Sequence, residues 1–203
     1  MKKVLFVITA ALLITVFAAA QAQDTPYQVN TYSHRNNISG LDAYLRIVNT
    51  GVVGSPLSAN EGRICANIYA FDSTQEMLEC CACTVTGNGL LTFSLKNNIM
   101  QDPLTGSPFP DTGVIKIVGT VPPAPGKNGC DETNIAAQQL TNGLVAWQGQ
   151  IEEPLAGSYV TNITQFVPST LGADEYAFLG QACSFVHYLG SGKGVCQCGT
   201  GSN

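Results

Sequence analysis

Eight cysteines, Cys65, Cys80, Cys81, Cys83, Cys130, Cys183, Cys196 and Cys198, carry most of the reactive chemistry in this chain of 203 residues. Thiols can cross-link, ligate soft metals or exchange electrons, and spacing separates these uses. Cys80-Cys81-Ala82-Cys83 and Cys196-Gln197-Cys198 bring several sulfurs close together, as a soft metal requires. Structural zinc sites, however, draw on clean Cys-x₂₋₄-Cys pairs. The nearest match, Cys80 with Cys83, has a third cysteine inside it, which also argues against a Cys-x-x-Cys redox motif. An even count, all of it downstream of an export leader, predicts disulfides instead. Roughly 105 connectivities are open to eight cysteines. Adjacent Cys80 and Cys81 could pair only through a strained ring, and Cys196 with Cys198 is barely better, so both clusters are expected to bond outward. A bond from one cluster to the other would close a loop of over about 100 residues, worth about 4–5 kcal/mol of chain entropy, and would pin the C-terminal tail.

The remaining chemistry is sparse. His34 and His187 are the only imidazoles, and neither Gly-x-Ser-x-Gly nor His-Glu-x-x-His occurs. His187, beside Tyr188, is expected as a packed or half-exposed side chain rather than a base. Glu76 and Glu79 are expected to share a helix face, and Glu152-Glu153 precede Pro154; both pairs read as solvated surface charge. Gly190-Ser191-Gly192-Lys193-Gly194 departs from a phosphate-binding loop, which needs Ser or Thr where Gly194 stands and Gly where His187 stands. It reads as a flexible turn. Asn37-Ile38-Ser39 and Asn162-Ile163-Thr164 match the glycosylation pattern, by chance if the chain is bacterial. No catalytic, cofactor-binding or metal-ligating residue is assigned.

The elements that position these residues are legible in outline. Lys2 and Lys3, the apolar run Val4 to Ala20 and the small-x-small Ala20-Gln21-Ala22 predict a secretion signal over 1–22, cleaved after Ala22. No later stretch is apolar enough for a membrane helix. A polar arm follows over 23–40, with a weak alternation at Tyr27, Val29 and Thr31 that suits an edge strand. One disulfide-bonded domain is expected over 41–203. Six strands are predicted: Ala43 to Asn49, Arg63 to Asp72, Leu90 to Lys96, Val114 to Gly119, Leu144 to Ile151 and Ser158 to Phe166. A short helical turn capped by Ser73 or Thr74 is predicted through Glu79. Tyr176, Leu179, Cys183, Val186 and His187 recur at helical spacing over about Asp174 to Tyr188, with Gly190 at the stop. Because helices do not alternate with strands, the fold class is mainly β, an antiparallel sandwich with one C-terminal helix. The Pro/Gly-rich stretch 121–129 reads as a surface loop.

Only 11% of residues are charged, against about 25% in an average protein, and the net charge is −5. The leader takes two lysines with it, and the remaining basic residues are scattered. Nucleic acid and anionic membrane surfaces, which need a concentrated positive face, are poor partners, and no nucleic-acid partner is expected.

Cys65-Ala66-Asn67-Ile68-Tyr69-Ala70-Phe71-Asp72, continuing through Gln75-Glu76-Met77 to Glu79-Cys80-Cys81-Ala82-Cys83, resembles a group of uncharacterised secreted proteins of Acidobacteria, as does the ending Gly190 to Cys198. The resemblance covers Leu45 to Leu95 and the last twenty-odd residues. It implies bacterial export, secreted or periplasmic, and carries no catalytic residue. The expected function is that of a non-enzymatic structural or cell-surface protein, self-assembling through the arm 23–40. The alternative is an extracellular module for glycan or another small ligand, with Trp147 and the tyrosines stacking on sugar rings. Against that, Trp147 sits in an apolar strand and is expected in the core. A secreted hydrolase and a metal-binding protein rank below both.

Overall fold

A computed structural model describes residues 25–33, 42–55, 57, 59, 61–104, 110–123 and 129–200. The leader 1–22, His34, Asn37-Ile38-Ser39, residues 124–128 of the proline-rich loop and the Glu153 side chain lie outside the described residues. The strands are β1 (Tyr27–Ser33), β2 (Tyr44–Asn49), β3 (Ile64–Asp72), β4 (Met77–Val85), β5 (Leu90–Ser94), β6 (Thr112–Thr120), β7 (Leu144–Leu155), β8 (Ser158–Gln165) and β9 (Val167–Pro168). They form two antiparallel sheets. Sheet A has the order β4-β3-β6-β1-β9 and sheet B the order β5-β2-β7-β8. One α-helix, α1 (Ala173–Gly190), follows the last strand.

The sheets differ because sheet A is covered twice. Its inner face meets sheet B in a core that includes Leu45, Ile47, Ile68, Ile117, Leu91 and Phe93. Its outer face is capped by α1, with Tyr69, Phe71, Val118, Leu179, Cys183 and Val186 in a second core. β3 is therefore buried at every position except its last, whereas β2 alternates, with Leu45, Ile47 and Asn49 inside. Continuous burial is what a strand needs when both faces are covered; alternation is what it needs when one faces water. Gly113 is required where β6 passes β3, because a Cβ there would meet the Phe71 carbonyl at 2.0 Å.

All six predicted strands are present. The strand hinted at by Tyr27, Val29 and Thr31 is also present, as β1, but it is not a leader standing outside the domain. It pairs with β6 along seven residues and buries Tyr27, Gln28 and Tyr32. The two-residue β9 flanks it, so β1 is one strand in from the edge. The helical turn over Ser73 to Glu79 is corrected. Asp72 Oδ1 accepts from the N–H groups of Thr74 and Glu76, at 2.8 Å each. That side-chain turn closes a β3–β4 hairpin, and Met77, Leu78 and Glu79 begin β4 instead of ending a helix. Short helical pieces occur elsewhere, a π-turn at Leu95–Ile99 and a 3₁₀ segment at Glu132–Ala137.

The cysteines form four disulfides: Cys65–Cys130, Cys80–Cys183, Cys81–Cys196 and Cys83–Cys198. Cys81 and Cys83 face the same side of β4, and each takes one cysteine of the C-terminal pair, giving a two-rung ladder. Backbone bonds accompany it: Cys80 donates to Gly194 and Cys196 donates to Cys80, which lays the tail along the β4 edge. Thr200 then exchanges two backbone bonds with Thr92, covering β5. The glycine-rich stretch after α1 is therefore an ordered connection, in which the left-handed residue ending the helix is Ser191, with φ 47°, and not Gly190.

Candidate functional site

Lys116 is a charged residue in the otherwise apolar strand β6, and the covering of sheet A by α1 decides where it goes. Its ammonium sits 4.5 Å from the centre of the Phe71 ring and 2.6 Å from Glu175 Oε1. Glu175 stands in the first turn of α1, where the helix dipole favours an anion. Phe178, one turn further on, stacks on Phe71 with ring centres 6.3 Å apart and planes inclined by 24°. With Val114 of β6 and with Asp72 and Gln75 of the hairpin turn, these residues line an open cleft of about 280 Å³.

The exposed Phe178 ring offers an apolar surface, backed by the buried Phe71 ring, and carboxylate, ammonium and amide groups surround it. Partial burial pushes the Asp72 carboxyl up, but hydrogen bonds from the Thr74 hydroxyl and the turn N–H groups outweigh it and hold the group below the ordinary carboxylate range. Because the ammonium is already neutralised by Glu175 and Asp72 adds a negative charge, the cleft offers no net attraction to an anion. It suits a small neutral ligand with an apolar face and several hydroxyls.

Trp147, the aromatic singled out in the sequence, lies elsewhere, and its expected core position is corrected. Ala146 and Gln148 take the inward positions of β7, which leaves Trp147 half-buried on the outer face of sheet B. Its cross-strand neighbours are Arg46 and Gln165. Arg46 lies 4.7 Å from the centre of the Tyr44 ring, and Tyr44 covers Gly149, where a Cβ would come within 2.3 Å of the ring. Trp147 and the cleft thus occupy opposite faces of the sandwich.

One carboxylate also sorts differently from expectation, while Glu76 is exposed as expected. Glu79 is fully buried instead of solvated; Oε1 accepts from the Asp102 N–H at 2.8 Å, and Oε2 has no partner among the described residues. Burial pushes its carboxyl up to about 8. His187 is half-buried, as expected, but not isolated. Its Nε2 lies 3.4 Å from Cys80 Sγ, 3.8 Å from Cys183 Sγ and 3.8 Å from Glu132 Oε1. Burial raises the Glu132 carboxyl, and His187 partly offsets that.

Sequence reasoning missed Phe71, Lys116, Glu175 and Phe178 as a group. One signal was available: a lysine inside Val114-Ile115-Lys116-Ile117-Val118 needs a partner if the strand is buried. No protein-family model, curated protein or solved structure matches the chain.

Proposed function

We propose that the protein is an exported binding module for a small neutral hydroxylated ligand, a saccharide unit or a molecule of similar size, held in the Phe71/Phe178 cleft. The observation that carries this reading is the exposed Phe178 ring, stacked on the buried Phe71 and ringed by Lys116, Glu175, Asp72 and Gln75. Aromatic rings take the C–H face of a sugar, and charged or amide groups take its hydroxyls. Export is supported by the leader pattern over 1–22 and by the four disulfides, which suit an oxidising compartment. Calorimetric titration of the mature protein with a panel of neutral mono- and oligosaccharides tests it. Binding should weaken at least about 10-fold in Phe178→Ala, whose side chain is 47% exposed, while Trp147 emission stays constant. Binding that ignores Phe178→Ala but quenches Trp147 would move the site to sheet B, and silence across the panel would defeat the proposal.

A structural, self-associating role is the second reading, and the surface favouring it is on α1. Phe178, Ala182, Phe185 and Leu189 lie on one uncharged row, with Phe185 60% and Leu189 51% exposed. A second copy is the fitting occupant, since a two-fold pairing lays an uncharged row on itself and keeps two acidic chains' charges outside the contact. Within the arm 23–40, Tyr27–Ser33 would serve by exchanging β1 between copies, because they are paired in their own sheet. A monomeric solution mass at every concentration would remove this reading; a dimer abolished by Phe185→Asp with Leu189→Asp would support it.

A further inference from the structure

Among the described residues, three metal-binding side chains meet at one point beneath α1. Cys183 and His187 are one helical turn apart and face the same way, toward β4. There they meet Cys80, and the ligand atoms of Cys80, Cys183 and His187 all lie within 4.8 Å of one another. Glu132, at the start of the 3₁₀ segment, brings Oε1 to 3.8 Å from the same imidazole nitrogen. No other disulfide has such company in the described residues: Cys130 Sγ faces the Thr84 hydroxyl at 3.4 Å, and Cys198 Sγ faces the Ala82 carbonyl at 3.7 Å.

We propose that the Cys80–Cys183 disulfide is a redox-gated site for a zinc-like divalent metal, with Cys80, Cys183 and His187 as ligands and Glu132 as the fourth. Two thiolates, one imidazole and one carboxylate form a donor set that suits zinc. At Zn–S of about 2.3 Å, two sulfurs on one tetrahedral ion stand about 3.8 Å apart, so reduction must come first. Their Cα atoms are 5.9 Å apart, and once the bond is broken rotation about the Cα–Cβ bonds widens the separation of the sulfurs. The electrons balance through a dithiol reductant. It delivers two electrons and two protons to the sulfur–sulfur bond, giving two thiols, and itself becomes a disulfide. The metal then displaces both protons as the thiolates bind, and reoxidation by a disulfide-bearing oxidant reforms the cross-link and expels the ion. The protein would thus hold α1 to β4 in either redox state, by a covalent bond or by a metal.

This inference is independent of the saccharide reading, and its test reads metal alone. Full-length mature protein is reduced with a dithiol under anaerobic conditions and titrated with Co²⁺, followed by Zn²⁺ displacement. One Co²⁺ per chain should bind, with thiolate-to-cobalt charge-transfer and tetrahedral d–d absorption. Cys80→Ser with Cys183→Ser, which keeps the six other thiols, should abolish that spectrum. His187→Ala and Glu132→Gln should each weaken binding beyond the 10–100-fold that an outer-shell partner is worth. The proposal falls if the oxidised protein binds the ion equally well, if the reduced protein binds none, or if the serine pair or His187→Ala leaves binding unchanged. Should reduction unfold the chain, Zn²⁺ must restore its strand circular dichroism at one ion per chain; failure to do so overturns the proposal as well.

Discussion

Sheet A and sheet B are built from the same kinds of residue but are held in opposite ways. Sheet A lies between sheet B and α1, and three of the four disulfides leave from β4 alone, the fourth leaving from its neighbour β3. Sheet B has water on its outer face, where Arg46 is exposed and Trp147 half-buried, and no disulfide of its own. The difference teaches that three of the four cross-links tie the helix and the tail to sheet A, while sheet B is held by strand pairing and core contacts. A polar residue therefore costs little on sheet B's outer face and must find a partner on either face of sheet A.

The strongest way to break the contrast is to remove the ladder. Replacing Cys81, Cys196, Cys83 and Cys198 together by alanine should cost about 3 kcal/mol in urea unfolding. The sequence separation is 115 for each rung, but Cys80–Cys183 already ties the chain nearby, so the effective loop is only about 15 residues. Removing either rung alone should cost under about 1 kcal/mol of loop entropy, because the surviving rung keeps the ends together.

Glu79 offers a subtler break within sheet A. Its carboxyl is neutral in the fold up to about 8, whereas an exposed glutamate ionises near 4.5. Between those values the unfolded chain binds fewer protons than the folded one, so stability should decline as pH rises through that window, by on the order of 2 kcal/mol after allowing for relaxation. Glu79→Gln should flatten the decline and be the more stable form at pH 8. Equal slopes in the two proteins would show that the carboxyl is not the cause.

Sheet B should respond least. Arg46→Ala is expected to shift stability by under about 0.5 kcal/mol, since an exposed cation over Tyr44 is worth at most about 1 kcal/mol and the stem can be replaced by water. A loss above about 2 kcal/mol would show that the outer face of sheet B is structural after all, and would sharpen the choice between the two faces as binding surfaces.

Much of this architecture was legible in the residues themselves. Alternation in Tyr44 to Asn49 and the apolar run Ile64 to Phe71 announced strands, and the spacing of Leu179, Cys183 and Val186 announced α1 and its packed side. The hairpin turn was misread because Ser73, Thr74 and Glu76 suit a helix start as well as a turn, and only the two hydrogen bonds to Asp72 decide between them. Trp147 was misread because an apolar strand does not reveal which of its faces meets water. Glu79 was misread because period alone cannot show a carboxylate crossing into a core.

The sequence by itself determined six of the strands, the helix, the export leader pattern and the need for cross-links, because these follow from local periodicity, charge and count. Tertiary structure alone decided which cysteines joined, why Lys116 meets Phe71 and Phe178, and why His187 lies against a disulfide. Each of these depends on residues far apart in the chain, Cys80 and Cys183 being separated by 103 positions, and no local pattern records which distant partner a folded sheet will bring near.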